Sequence, residues 1–170
     1  MAQIWKKSSS SCFKSIYITV KVQVPNEHEI NIFQETVEQK YPTCSEVWGA
    51  VDGLKLLIHS PRSYVKQLRF YNRWKSDHTV KLLLTFSVDG KIRIAVLNGP
   101  RCFHDSTLSD YGLYDRLELL FNAFGAKIVV DSAFKIGNAL YLNKSSQTDP
   151  FDPELLIQNR EATSIRQLSK

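Results

Sequence analysis

The run VWGAVDGLKLLI, residues 47–58, is apolar and rich in strand formers, and it is interrupted by Asp52-Gly53. It predicts a strand over Val47–Ile58. A carboxylate inside such a strand calls for a hydrogen-bond donor, a cation or a substrate. Upstream, SIYITVKVQV (15–24) alternates and is β-branched, which predicts a strand stopped by Pro25-Asn26. In EHEINIFQETVEQKY, Ile30, Phe33 and Val37 fall at helical spacing, and Pro42 ends that helix. TVKLLLTFSV and KIRIAVLN read as two strands joined at Asp89-Gly90, a strong hairpin signal.

After the loop GPRCFHDS, Asp105 or Ser106 is placed to cap a helix. In it Leu113, Leu117, Leu120, Phe121 and Phe124 share one face, and Gly125 closes it. AKIVVDSAF is a short apolar strand ending at Asp131. SSQTDPFDP is a loop, and Asp152-Pro153-Glu154 starts a last helix running to about Leu168. A strand, a hairpin, a helix, a strand and a helix in that order predict an α/β fold, a mixed sheet flanked by helices.

With 170 residues and 43% hydrophobic content, the chain is long and apolar enough for one domain with its own core. The longest apolar runs fall far short of the roughly 20 residues that cross a bilayer, so no membrane association is expected. The first twenty residues lack the apolar stretch and cleavage site of a signal peptide. Cys12, Cys44 and Cys102 are scattered and odd in number, which predicts neither a disulfide framework nor a zinc site and suits a reducing intracellular compartment.

Charge changes the picture locally. The net charge is +5, and between Arg62 and Lys81 there are six Lys or Arg residues against one acid, Asp77. These six, Arg62, Lys66, Arg69, Arg73, Lys75 and Lys81, are interleaved with Tyr64, Phe70, Tyr71 and Trp74. Cations among aromatics suit a phosphate backbone and unstacked bases. A solvated loop with aromatics tucked beneath would read the same way.

Two acids occupy matching places. Asp52 lies within the first strand and Asp131 ends the later one. Open α/β sheets carry their chemistry at strand carboxyl ends. If the two strands are neighbours, the carboxylates converge, and a divalent cation between them removes their repulsion. Magnesium fits such oxygen donors, and two ions about 4 Å apart serve phosphodiester cleavage. Asp52-Gly53 as a turn and Asp131-Ser132 as a helix cap remain equally open. His104 has no second histidine at helical spacing, which leaves a loop or core role open beside ligation.

The blocks GAVDGLKLLI, YNRWKSDHTVKLLLTFSVDGKI, NGPRCFHDS, IVVDSAF and NREATSIRQLS occur in this order. The chain thereby resembles, over Tyr41–Lys170, the DDE superfamily endonuclease domain of the PIF/Harbinger transposases. Residues 1–40 would be a poorly matched lead-in of a strand plus a helix.

The resemblance implies an RNase H-like fold with a five-stranded mixed sheet. It implies cleavage and strand transfer at DNA ends with Mg²⁺ (or Mn²⁺), DNA as partner alongside a separate DNA-binding protein, and nuclear location. It maps the first two catalytic, metal-holding acids onto Asp52 and Asp131, with Asp105 as a supporting metal-site acid. The third acid, a glutamate shortly after the family's R-Q block, is replaced by Lys170, and the family's remaining C-terminal helix is missing. The two-metal site is therefore expected to be incomplete, the domain incomplete at its C-terminus, and activity impaired. The alternative is a non-catalytic nucleic-acid or protein-binding module, domesticated or decaying. Glu161 is the nearest substitute acid, but it stands nine residues from Lys170, about 13 Å along a helix.

Overall fold

A computed structural model describes residues 22–72, 76–100, 103–134, 140–144 and 152–167. The first helix, α1 (Glu27–Lys40), begins with a reciprocal cap. The Asn26 side chain accepts from the Glu29 amide at 2.9 Å, and the Glu29 carboxylate accepts from the Asn26 amide at 3.1 Å. Its buried positions are Ile30, Phe33 and Val37, the face the spacing predicts. A 3-10 turn at Pro42–Cys44 leads into β1 (Val47–Ile58).

Strand β1 is the centre of the sheet. On one edge, Gly49–Ile58 pair antiparallel with Ser87–His78 of β3 (Asp77–Ser87). On the other, Val47–Ala50 pair parallel with β5 (Lys127–Val130), which in turn pairs parallel with β6 (Leu142–Lys144). Strand β4 (Ile92–Pro100) lies along the outer edge of β3, and the two-residue β2 (Tyr71–Asn72) continues that edge. The β3–β4 turn falls at Asp89-Gly90, where Gly90 takes φ 77°. Close approach of β1 to β3 requires Gly49, because a Cβ there would stand 2.1 Å from the Phe86 carbonyl oxygen.

Helices cover both faces. On one, α4 (Leu113–Phe124) and α1 pack Leu113, Leu117, Leu120, Ile30 and Phe33 against Trp48, Val51, Leu83, Ile128 and Val130. On the other, α5 (Pro153–Gln167) packs Ala162 and Ile165 against Val47, Ala50 and Val129. An antiparallel meander on one side of β1, parallel strands on the other and helices on both faces make this an RNase H-like fold. Six strands replace the expected five, through the addition of β2.

Some expectations are corrected. The helix foreseen after GPRCFHDS is two helices, α3 (Asp105–Ser109) and α4, broken where Gly112 takes φ 100°. The residue before α3 is His104, and it makes no side-chain cap bond; Asp105 is the first helical residue. A short helix, α2 (Tyr64–Phe70), occupies the basic segment that reads as a loop. The strand expected over 15–24 lies outside the described residues except for 22–24, which are not in a strand.

Candidate metal centre

Residue alternation along β1 and β5 positions the two acids. Ala50 pairs with Val129, and both belong to the core cluster beneath α5. Asp52 lies two residues further along β1, and Asp131 follows Val129 by two residues, one past the end of β5. A strand repeats its facing every second residue, which puts Asp52 on the α5 face of β1, and the Arg166 contact puts Asp131 beside the same helix at the end of the neighbouring parallel strand. Burial along β1 ends just there. Val47 to Val51 are buried, Asp52 is half-buried, and Gly53 to Leu57 are exposed. Asp131 immediately follows the last residue of β5, at the strand's carboxyl end.

Asp131 is bonded from two sides. Its Oδ1 accepts the Ser132 amide at 2.6 Å and the Ser132 hydroxyl at 3.2 Å, and the Arg166 guanidinium stands 2.9 Å from the same oxygen. Partial burial works against the charged carboxylate. The Ser132 amide and the Arg166 charge outweigh it and hold the Asp131 carboxyl below its usual range. Arg166 reaches this point because it follows the buried Ala162 by four residues, on the same side of α5. Sequence pattern does not reveal this pair, because Arg166 lies on a helix far along the chain from Asp131.

Asp105 belongs to the opposite face. A Cβ on Gly53 would lie 3.2 Å from Asp105 Oδ2, and Gly53, next to Asp52, faces the other way. Asp105 Oδ1 pairs with the Lys81 ammonium at 2.9 Å, and Lys81 also donates to the Phe103 carbonyl at 2.7 Å. The structure thus brings Asp52 and Asp131 to one face and sets Asp105 behind β1, against the backbone beside Asp52. His104 is exposed at the start of α3. Glu161 accepts from the Thr43 amide (3.0 Å) and hydroxyl (2.6 Å), which ties α5 to the 3-10 turn before β1. Among the described residues, no group of three or more His, Cys, Asp or Glu is arranged to hold a metal ion.

The basic residues separate into three sets. Arg62, Lys66 and Arg69 are exposed on and just before α2, beside the exposed rings of Tyr64 and Tyr71. Lys81 is 12% exposed and committed to Asp105. Arg73 and Lys75 lie outside the described residues. No helix among the described residues is long and apolar enough to cross a membrane.

Comparison of the chain with known families gives a match to DDE superfamily endonuclease over residues 51–170. No match was found among curated proteins or among solved structures.

Proposed function

This chain belongs to the DDE superfamily endonuclease family, and from that membership we propose that it is a transposase-type nuclease domain of the PIF/Harbinger kind acting on DNA ends in the nucleus. Asp52 and Asp131 are its metal-holding acids. The observation that carries this reading is the parallel pairing of β1 with β5, whose last paired residues, Ala50 and Val129, each stand two residues before one of the acids. The donor set fits a hard divalent cation, since magnesium binds through one or two carboxylates and keeps several waters. When bound, such an ion activates the attacking oxygen and stabilises the leaving one. The chain's own residues supply the rest. β1 and the end of β5 carry the two carboxylates, and the Ser132 amide keeps Asp131 ionised and oriented.

Lys170 stands where the third acid of the family is expected, so the reading includes reduced activity. Incubation with labelled duplex DNA and Mn²⁺ tests it. Weak cleavage is expected, dropping to background in Asp52→Asn and in Asp131→Asn. Cleavage that persists unchanged in Asp52→Asn would remove this site from the chemistry.

A second reading, a DNA-binding module without catalysis, draws support from the exposed Arg62, Lys66 and Arg69 beside unburied aromatic rings. It predicts binding that weakens steeply with salt while no cleavage is seen. Undetectable binding at low salt ends that reading. A separate DNA-binding protein would supply the end recognition in either case.

A further inference from the structure

A metal ion arriving at Asp131 meets a carboxylate that already has a cation. Arg166 Nη1 stands 2.9 Å from Asp131 Oδ1, and the same oxygen takes both Ser132 donors. The helix beneath Arg166 is fastened independently of this contact. Ala162 and Ile165 are buried against β1 and β5, and Glu161 is bonded to Thr43. The Arg166 backbone is therefore fixed, and only its side chain, 20% exposed, has room to change partner.

We propose that Arg166 is a built-in competitor for the divalent cation at Asp131. Its guanidinium neutralises the carboxylate in the metal-free chain and has to leave Oδ1 before an ion can take that oxygen. This rests on the metal-site reading above. A guanidinium and a divalent ion repel each other at one carboxylate, and magnesium tolerates little departure from octahedral geometry at about 2.1 Å. An N–H donor on the same oxygen occupies one of the directions the ion would need. The result is a site whose metal affinity is set by a cation belonging to the chain itself, separately from the number of acids around it.

Mn²⁺ binding to the purified chain, followed by electron paramagnetic resonance of the free ion, tests this without any cleavage assay. Arg166→Gln is expected to bind Mn²⁺ about fivefold more tightly than the unaltered chain, the size of one partly exposed ion pair. Arg166→Lys, which keeps the charge, is expected to stay within about twofold of the unaltered chain on the same scale. Asp131→Asn removes the binding in each background. Should the glutamine variant fail to fold, Arg166→Met keeps the stem and gives the same comparison.

Affinity that is unchanged or weaker in Arg166→Gln, while Asp131→Asn still removes binding, overturns the competition and leaves the metal site standing. Absence of Asp131-dependent Mn²⁺ binding in every variant overturns both.

Discussion

Among the described residues a carboxylate–cation pair lies on each face of the sheet, Lys81–Asp105 on one and Arg166–Asp131 on the other, and the two pairs have different surroundings. Behind β1, Lys81 and Asp105 are 12% and 25% exposed, the ammonium has a second acceptor in the Phe103 carbonyl, and the carboxylate rests against Gly53. On the α5 face, Arg166 and Asp131 are 20% and 41% exposed, at the open carboxyl end of β5. The inner pair is enclosed, and removing either partner leaves a partly desolvated group unmatched. The outer pair is open on its carboxylate side, where solvent can take the place of the guanidinium. Enclosure suits a fixed support for the strand that bears Asp52, and openness suits a carboxylate that must exchange partners.

Lys81→Met is the strongest way to break this contrast. It strands the Asp105 carboxylate and the Phe103 carbonyl together and should cost about 2 kcal/mol in urea unfolding. A loss no larger than that of an exposed ion pair would make the two faces equivalent. Gly53→Ala probes the same support with a smaller effect. The new Cβ would meet Asp105 Oδ2 at 3.2 Å, and Lys81 holds that carboxylate in place. A cost of about 1 kcal/mol is expected in the unaltered chain. In the Lys81→Met background the carboxylate can yield, and the same substitution should become neutral or stabilising by a few tenths of a kcal/mol. Equal costs in both backgrounds would show that Lys81 does not pin Asp105.

These residues also mark where sequence pattern stops being informative. The strand Val47–Ile58, the hairpin at Asp89-Gly90 and the apolar face of α4 were legible because each is a long periodic run with a distinct turn or cap. Convergence of Asp52 and Asp131 requires β1 and β5 to be neighbours, a long-range pairing that no local pattern encodes. Helix α2 was not legible because it buries nothing and makes no side-chain cap bond, so it lacks an apolar period. Strand β6 is three residues long, too short for alternation to register. Lys81 was grouped with the basic segment because a lysine in a run of cations reads as solvated. Its burial depends on Asp105 arriving from a helix 24 residues later. Arg166 was hidden for the same reason, its partner being at the far end of another strand.

Arg166→Gln should cost much less than Lys81→Met. A partly exposed ion pair contributes at most about 1 kcal/mol, because solvent screens the charges and two side chains lose freedom. Urea unfolding in the presence of a chelator measures this without interference from metal. A cost comparable to that of Lys81→Met would mean that the outer pair is a structural clamp, ill suited to giving way.

The smallest effect is the pH dependence of that cost. Asp131 is held below its usual carboxylate range, so it binds fewer protons folded than unfolded. Its contribution is fully present above the unfolded-state value near 4 and is lost as pH falls through the lower folded value. The stability gap between the unaltered chain and Arg166→Gln should therefore be flat from about pH 5 to pH 8 and should close as the carboxylate protonates below about pH 4. Parallel urea unfolding of the two proteins across that range measures the gap directly. A gap that survives in acid would assign the role of Arg166 to the packing of its methylene stem on α5. A stem that stabilises by packing gains nothing from leaving Asp131, and the guanidinium would then lose its reason to yield to a metal ion.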